Sequence, residues 1–543
     1  MTLMTSWNFA DVWETIAEEQ SSAPALLRGS EVRTWAEFDL RSASIAARLL
    51  EAGLTRQSRV AQYLMNSSEY VESLFATFKA AMVPVNTNYR YVADELAYLW
   101  LDAGVEAVMF HGSFSASAAE VRLRVPNVKL WLWVDDGSAA CPEWAEPYED
   151  VASSGAVMPS DSPSRSGDDL FLLYTGGTTG QPKGVMWRQD DLFCVLNRSS
   201  TIKYPEEGGR DSVRHGLVEA GDFRARVLPA APLMHGTAAF SAFAVLDSGG
   251  AVVLCDNTKF DPQELLDTVE AHRVTDLSIV GDAFAKPLLD ALNAQPHRWD
   301  ISSLKVILSS GVMWSAPVKD GLIGHAPNLL CVDTLGSSEA VGLARSISSS
   351  RGTAKTAGFK LGPDAQVIRD DGTPVTPGSG ETGLVAIAGR APIGYFNDPE
   401  KSAKTFREIG GRRWTTPGDF ATVDIDGTVT LLGRGSGCIN TGGEKVFPEE
   451  VEESIKLHPA VRDAVVMGAP HDRFGQQVIG FVEAAPGAEI NLEVLKDSLQ
   501  ERLAGYKVPR HLVLVESIGR AANGKVDQSR WKAEAERIGS AST

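Results

Sequence analysis

The feature that most constrains the fold is a regular alternation of helical and extended patterns early in the chain. Residues 37–53 place apolar side chains on one helical face and end at Gly53, a residue suited to the position after a helix. An extended pattern at 59–65, a helical pattern at 68–82 and an extended pattern at 83–88 follow. Because parallel strands need such crossover helices, this alternation predicts a parallel sheet with helices on both faces.

The alternation returns between residues 251 and 311, where an extended run at 251–256 and a helical pattern in DPQELLDTVEAHR precede extended runs in TDLSIVGD and at 304–311. Residues 200–222 and 344–357 are rich in Gly, Ser and charged side chains. Because of this composition, we expect these two segments to be surface loops.

The character of the sequence changes near GRGSG at 433–437, whose glycines supply a flexible joint. The short helices and strands beyond it fit a compact α+β unit. The sequence therefore predicts an α/β protein with a large N-terminal domain at 1–433, built from parallel sheets with helices on both faces. A small mobile C-terminal α+β domain is expected at 434–543, with a hinge at about 434–437.

Composition excludes several classes of protein. The 543 residues carry a formal net charge of −19, which disfavours nucleic acid as a partner because phosphate backbones are repelled. No run approaches the roughly 18 apolar residues of a spanning helix, and the N-terminus lacks a secretory pattern, so we expect a cytoplasmic protein. The five cysteines are dispersed, which argues against a disulfide scaffold or a thiolate metal site.

The most informative segment is DDLFLLYTGGTTGQPKGVMW at 168–187, in which an apolar strand leads into a polar turn. Glycines let backbone N–H groups converge on an anion, hydroxyls add donors, and a lysine adds positive charge. The predicted phosphate-binding residues are Thr175, Gly176, Gly177, Thr178, Thr179 and Lys183. A P-loop is excluded, because Pro182 precedes this lysine and Gly184 follows it.

YTGGTTGQPKGV resembles the signature loop of the adenylate-forming (ANL) superfamily, which includes acyl-CoA synthetases, peptide-synthetase adenylation domains and luciferases. Further segments resemble family elements in the same order, and MWRQDDLF and TGGEKVFPEEVE are similar to actinobacterial acyl-CoA ligases for steroid side-chain, terpenoid or long-chain acids. The matching segments are PLMHG (232–236), LGSSE (335–339), PGDF (417–420), GRGSGCINTGGEKVFPEEVE (433–452) and NGK (523–525).

The resemblance implies the ANL fold and a reaction in two steps. A carboxylate attacks the α-phosphorus of ATP, which gives acyl-AMP and pyrophosphate, and the thiol of coenzyme A then displaces AMP. Implied partners are a small carboxylic acid, ATP, Mg²⁺ and coenzyme A, with no nucleic acid and no transmembrane segment. The resemblance leaves open whether the protein forms a homodimer.

The resemblance also assigns roles to individual residues. Glu339 would hold Mg²⁺, His235 would lie beside the acyl carboxylate and gate thiol entry, and Lys525 would bridge the carboxylate and the α-phosphate. The remaining nucleotide-binding residues are Ser310, Gly311, Val312, Asp333, Leu335, Ser338, Asp419 and Arg434. The expected coenzyme A-binding residues are Gly442, Gly443 and Glu444, and the expected acyl pocket contains Ala238, Ala239, Phe240, Met313 and Trp314.

Three positions depart from the family pattern. Leu335 replaces a frequent aromatic residue that stacks on adenine, Ser436 replaces the usual hinge Asp or Lys, and Ala340 replaces a frequent Thr. Stacking of a base on an aromatic ring contributes about 1–3 kcal/mol, so nucleotide affinity must come from other contacts here.

The sequence leaves several functions open besides an acyl-CoA ligase for a bulky apolar acid. The enzyme could use only a preformed acyl-adenylate for thioester formation, or act as a free-standing adenylation enzyme. A luciferase-like oxidase is also compatible with the sequence, and so is a nucleotide- or acyl-binding sensor without catalysis.

Overall fold

The computed structural model of the chain describes residues 6–175, 181–312, 314–441, 444–471, 474–521 and 524–541. The first third of the chain contributes most of one sheet and the helices around it. Its helices are α1 (Phe9–Glu19), α2 (Trp35–Glu51), α3 (Ser68–Lys79), α4 (Ala93–Ala103), α5 (Ser115–Arg122) and α6 (Tyr148–Ala152). Its strands are β1 (Pro24–Arg28), β2 (Glu31–Thr34), β3 (Arg59–Tyr63), β4 (Val83–Asn86), β5 (Val105–His111), β6 (Leu130–Val134), β7 (Glu146–Pro147), β8 (Leu170–Thr175) and β9 (Lys183–Arg188).

The middle of the chain adds strands to a second, larger sheet. Its helices are α7 (Gln189–Asn197), α8 (Arg210–Glu219), α9 (Gly236–Leu246), α10 (Pro262–His272), α11 (Asp282–Ala294) and α12 (Ala316–His325). Its strands are β10 (Arg226–Pro229), β11 (Ala251–Leu254), β12 (Asp276–Ile279), β13 (Val306–Ser310), β14 (Leu330–Ser337) and β15 (Ala340–Ser348).

Residues 358–434 extend the larger sheet with antiparallel strands and add one short strand to the smaller sheet. They contain one helix, α13 (Pro399–Thr405). The strands are β16 (Gly358–Leu361), β17 (Ala365–Ile368), β18 (Gly383–Ala388), β19 (Gly394–Tyr395), β20 (Phe406–Ile409), β21 (Arg412–Thr415), β22 (Asp419–Val423) and β23 (Val429–Arg434).

Residues 439–541 form a third sheet with its own apolar core. The helices are α14 (Pro448–Lys456), α15 (Leu492–Gln500) and α16 (Gln528–Ala541). The strands are β24 (Ile439–Thr441), β25 (Glu444–Val446), β26 (Val461–His471), β27 (Gly475–Ala484) and β28 (His511–Val515). None of the helices in the described ranges combines the length and the hydropathy needed to span a bilayer.

The two N-terminal sheets share a parallel architecture. One has the strand order β19-β9-β8-β4-β3-β5-β6-β7, in which β3 to β8 pair in parallel. The other has the order β2-β1-β11-β10-β12-β13-β14-β15-β16-β23-β22-β18-β21-β20, with β17 paired to β18. The parallel sheets expected from the sequence are thus present, but β15 and the strands after it pair antiparallel and make the larger sheet mixed.

An aromatic cluster holds the two N-terminal sheets together. Phe9 of α1 stacks on Phe78 of α3, with ring centroids 5.2 Å apart. Phe171 of β8 meets Phe243 of α9 edge to face at 5.7 Å, and Phe9 is 5.0 Å from the same Phe243 ring. Since β8 and α9 belong to different layers, these buried rings fix the two segments that lead into the candidate site.

The prediction of a surface loop at 200–222 is wrong, because residues 210–219 form α8. This helix has little apolar surface of its own, and only Val213, Gly216 and Leu217 are buried. It is stabilised by the acidic face of α1: Arg210 donates to Glu18 at 3.0 Å, and Arg214 donates to Glu19 at 2.8 Å. The loop expected at 344–357 is partly wrong as well, since β15 continues to residue 348.

A buried ion cluster joins α2 to α3. The Glu72 carboxylate on α3 is 0% exposed, lies 2.6 Å from the Arg33 guanidinium and 2.7 Å from that of Arg41, and accepts from the Tyr148 hydroxyl at 3.1 Å. Arg41 also reaches Glu149, whose side chain is 61% exposed.

We expect Glu72→Gln to lower the free energy of unfolding by about 3 kcal/mol, because it leaves two guanidinium groups without their shared buried anion. Guanidinium chloride titration followed by tryptophan fluorescence measures the change. Glu149→Gln is the matched control and should cost less than about 1 kcal/mol, since its ion pair is exposed. Equal losses in the two variants would contradict this interpretation of the cluster.

Candidate active site

The predicted phosphate loop lies between two paired strands. β8 and β9 are antiparallel, and their register places Thr175 opposite Lys183 at the end next to the loop. Tyr174 packs closely on the start of β9, since a Cβ at Gly184 would lie 2.7 Å from the Tyr174 ring. The two ends of the loop are therefore fixed. Gly176, Gly177, Thr178 and Thr179 lie outside the described residues.

The acidic residue expected to hold a metal lies in the turn between β14 and β15. Glu339 is half-buried, and its Oε1 accepts a hydrogen bond from the Tyr395 hydroxyl at 2.8 Å. Next to it, the Ser338 carbonyl accepts from the Trp187 indole at 2.9 Å. Because Tyr395 pairs with Val185 through β19 and β9, this turn is tied to the same hairpin that carries Lys183.

A second lysine lies in this region and was not found by sequence reasoning. Lys183 makes an ion pair with Asp398 at 3.1 Å, and its Nζ lies 5.7 Å from the centroid of the Tyr395 ring. The Nζ of Lys401, on α13, lies 6.0 Å from the same centroid. The neighbouring Lys183 ammonium is the main cause of a lowered pKa at Lys401. In the sequence this lysine sits in PEKSAKT and is indistinguishable from a solvated helical residue.

Two asparagines hold the segment that leads to His235. Asn66 donates to the carbonyls of Pro229 and Ala231, both at 3.0 Å, and accepts from the Leu233 amide at 2.6 Å. These bonds fix the course of the chain between β10 and α9.

Asn86, at the end of β4, joins this segment to the phosphate loop. Its side-chain amide donates to the Met234 carbonyl at 2.7 Å and to the Tyr174 carbonyl at 2.9 Å, and its oxygen accepts from the Tyr174 amide at 2.5 Å. One buried side chain thus sets the spacing between the residue before Thr175 and the residue before His235.

His235 is the N-cap residue of α9. Burial lowers the pKa of its imidazole to about 4, and the positive charges of Lys525 and Arg90 contribute in the same direction. The imidazole is therefore uncharged at neutral pH. Its Nε2 is buried and has no hydrogen-bond partner among the residues that the structure describes.

The C-terminal unit presents Lys525 to His235. Its turn is closed by a hydrogen bond from the Ala521 amide to the Lys525 carbonyl at 2.8 Å, and Arg520 donates to the Gly524 carbonyl at 3.1 Å. Gly524 lies directly against the larger sheet, because a Cβ there would be 2.9 Å from side-chain atoms of Val280 and Val312.

A second contact between the same two units lies on α11. Lys286 donates to the Arg462 carbonyl at 2.6 Å. Together with the Gly524 contact, it fixes the C-terminal unit over the ends of the central strands.

The residues expected around adenine are distributed over β13 and β14. Ser310 ends β13, Gly311 has a φ of +91°, and Val312 contacts the Lys525 turn, so these three border the site. Asp333 instead turns inward and lies 3.2 Å from the buried Lys319 ammonium; burial raises the pKa of this carboxyl to about 6. Leu335 is buried in the apolar cluster of the antiparallel extension.

The residues expected to contact ribose meet across two strands. The register of β22 and β23 places Asp419 opposite Arg434, and Asp419 is buried. The side chain of Arg434 lies outside the described part of the structure.

Three of the expected acyl-pocket residues lie on α9, and a fourth, Trp314, lies just before α12. Ala238, Ala239 and Phe240 are buried, and Phe240 lies close to Gly236 beside Leu173 of β8. Trp314 is fully buried, with the Lys319 ammonium 5.3 Å from its ring. Met313 lies outside the described residues.

Of the expected coenzyme A-binding residues, Gly442 and Gly443 are not among those described. Glu444 begins β25 and borders a cavity of about 530 Å³ in the C-terminal unit. Lys496 and Arg510 line the same cavity, so its wall carries cations as well as this carboxylate.

Comparison with known proteins identifies the family. The family model described as AMP-binding enzyme matches residues 13–394, and the one described as AMP-binding enzyme C-terminal domain matches residues 450–525. The chain therefore belongs to the AMP-binding enzymes, and the resemblance to the adenylate-forming superfamily is confirmed.

Individual relatives cover nearly the whole chain. A 3-oxocholest-4-en-26-oate–CoA ligase of Rhodococcus rhodochrous is 37% identical over 96% of this chain and 95% of its own length. A medium/long-chain-fatty-acid–CoA/3-oxocholest-4-en-26-oate–CoA ligase of Mycobacterium tuberculosis is 38% identical over 97% of this chain and 96% of its own. These relatives confirm the predicted enzyme class, an ATP-dependent acid–CoA ligase.

The fold is shared with solved structures. The anthranilate CoA ligase AuaEII, crystallised with anthranoyl-AMP, superimposes with a TM-score of 0.82 and covers 99% of both chains at 20% identity. The α/β fold of the adenylate-forming enzymes, with a large N-terminal part and a smaller C-terminal part, is confirmed.

We expect Asn86→Asp to lower the free energy of unfolding by about 3 kcal/mol. The substitution keeps the oxygen that accepts from Tyr174 but places a second, charged oxygen against two carbonyl oxygens in a site where Asn86 is 5% exposed. Chemical denaturation at pH 7 measures the loss.

The matched control is Asn127→Asp in an exposed turn before β6, which should change stability by less than about 0.5 kcal/mol. An Asn86→Asp protein as stable as this control would show that the amide does not hold the two segments together.

Proposed function

We propose that this chain forms a coenzyme A thioester of a bulky apolar carboxylic acid in two steps, through an acyl-AMP intermediate. The acid is a steroid side-chain, terpenoid or long-chain acyl acid. The observation that carries the proposal is the position of Lys525, whose charge acts on His235 while its turn packs on Val280 and Val312.

This arrangement suits the first step. The carboxylate oxygen attacks the α-phosphorus, a new O–P bond forms, and the bond to the bridging oxygen breaks with its electron pair leaving on pyrophosphate. Lys525 supplies positive charge between the carboxylate and the α-phosphate, and the uncharged His235 can hydrogen-bond the acid without adding charge. Such preorganised charge is usually the largest contribution to rate in reactions of this kind.

Glu339 is the residue we assign to Mg²⁺. In the described ranges, no group of three or more His, Cys, Asp or Glu side chains could hold a metal ion alone. One carboxylate oxygen together with phosphate oxygens and water fits the preference of Mg²⁺, and the Tyr395 hydroxyl keeps Glu339 oriented. Bound there, Mg²⁺ would neutralise phosphate charge.

The second step needs a different position of the C-terminal unit. We propose domains at 1–433 and 434–543 that rotate about residues 434–437 and bring the turn at 442–444 to the site in place of Lys525. Lys496 and Arg510 line the same cavity as Glu444, and their positive charges suit the phosphates of coenzyme A. The location in the cytoplasm and the formation of a homodimer remain predictions from the sequence.

The nature of the acid is supported by two observations. The relatives named above act, by their names, on 3-oxocholest-4-en-26-oate and on medium- or long-chain fatty acids. In this chain, the helix that follows His235 offers the apolar side chains of Ala238, Ala239 and Phe240.

A panel of acids with ATP, Mg²⁺ and coenzyme A tests the proposal, with AMP, pyrophosphate and acyl-CoA read by mass spectrometry. We expect 3-oxocholest-4-en-26-oate or dodecanoate to exceed acetate and benzoate in kcat/KM by at least about 100-fold, because each buried methylene contributes about 0.8 kcal/mol. A preference for acetate or benzoate would contradict the assigned acid. Thioester formed only from synthetic acyl-AMP would support the single-step ligase, and oxygen uptake would support the oxidase.

We expect Lys525→Ala to slow acid-dependent ATP–pyrophosphate exchange by at least about 100-fold, since it removes the cation placed at the reacting phosphate. Formation of thioester from synthetic acyl-AMP and coenzyme A should be largely retained. Lys532→Ala, at an exposed position on α16, is the matched control and should keep both activities. If Lys525→Ala affected neither half-reaction, Lys525 would have no role in adenylation.

A further inference from the structure

Two lysines from separate elements lie around one tyrosine next to Glu339. Lys183 begins β9 and Lys401 lies on α13, yet their ammonium groups are 5.7 and 6.0 Å from the centroid of the same Tyr395 ring. The hydroxyl of that ring donates to Glu339 at 2.8 Å. The fold thus gathers two cations and a candidate metal ligand around one rigid side chain.

The charges of this group are unevenly paired. Asp398 gives one carboxylate oxygen to Lys183 at 3.1 Å, while its other oxygen accepts from the backbone amide of Lys401 at 3.0 Å and so begins α13. Among the residues that the structure describes, no carboxylate forms an ion pair with the Lys401 side chain within 4.0 Å. Lys401 therefore faces another ammonium group, while the carboxylates of Asp398 and Glu339 act on it from beyond ion-pair distance. A bound anion beside both ammonium groups would relieve their repulsion.

We propose that Lys401 is a second phosphate-binding residue, and that Lys183 and Lys401 together hold the β- and γ-phosphates of ATP and the pyrophosphate released in the first step. This inference rests on the proposed function. Negative charge develops on the pyrophosphate as the bond to the α-phosphorus breaks, and two lysine charges beside it favour that step. Tyr395 lies between the lysines and Glu339, since its hydroxyl donates to Glu339 and both ammonium groups lie within 6.0 Å of its ring centroid.

Lys404 shows how an ordinary surface lysine behaves on the same helix. Its side chain is 71% exposed and pairs with Glu400 at 2.6 Å, one helical turn earlier. Lys401 differs from it in being half-buried and in lying beside Tyr395 and Lys183. The two residues therefore form a matched pair for substitution.

The test compares Lys401→Met, Lys401→Arg and Lys404→Met in the full-length enzyme. Methionine keeps the apolar length of the lysine stem and removes its charge. Calorimetry with inorganic pyrophosphate and Mg²⁺ measures binding, pyrophosphate–ATP exchange gives the KM for pyrophosphate, and synthetic acyl-AMP with coenzyme A isolates the second half-reaction.

We expect Lys401→Met to raise the Kd and the KM for pyrophosphate by at least about 10-fold, because a charge-assisted contact is lost. Arginine should restore most of this affinity, and Lys404→Met should match the wild type. The defect should be confined to the step that handles pyrophosphate, so the rate from acyl-AMP should fall by much less.

Unchanged pyrophosphate affinity in Lys401→Met would overturn the proposal. Equal losses in both half-reactions without rescue by arginine would also overturn it, and would indicate a packing role on Tyr395. Failure of the proposed function gives a different result, namely a wild-type protein that forms no ATP from acyl-AMP and pyrophosphate. The calorimetric comparison of wild type and Lys401→Met still decides whether this lysine binds the anion.

Discussion

The arrangement of the site depends on the contact between the two N-terminal sheets, where the ends of β8 and β10 lie close together. Peptide groups at the ends of β8 and β10 lie where regular strand pairing stops, and buried peptide groups must find hydrogen-bond partners. Asn86 supplies them for Tyr174 and Met234, and Asn66 supplies them for the segment that follows β10. The side-chain amides of Asn66 and Asn86 thereby fix the distance between the start of the phosphate loop and His235, where the two sheets meet.

Electrostatics divides the site into two regions with different tasks. Around His235, burial and two nearby cations keep the imidazole neutral, so positive charge is left to Lys525. Around Tyr395, two lysines and Glu339 place charges of both signs within one small group. A neutral region that binds the acid and a charged region that binds the phosphates suit the transfer of an adenylyl group from ATP to a carboxylate.

Much of the fold could be predicted from sequence, because local patterns agreed with the tertiary structure. The helix ending before Gly53 and the strand at 59–63 lie where their periodicity indicated. The same holds for β11, α10, β12 and β13, whereas α11 was not predicted. The exceptions have physical reasons. α8 is stabilised by arginines that pair with α1, a distant helix. Several antiparallel strands after β15 are only four residues long, too short for clear periodicity.

The sequence by itself determined the class of chemistry, because a phosphate loop needs glycines, hydroxyls and a cation within a few consecutive residues. It also determined the order of the candidate residues from His235 to Lys525. Only the tertiary structure decided which side chains meet. It turned Asp333 inward to Lys319, placed Lys401 beside Lys183, and made Asn86 the link between two segments. Such contacts join residues far apart in the chain, and strand register and helix packing set them, not local composition.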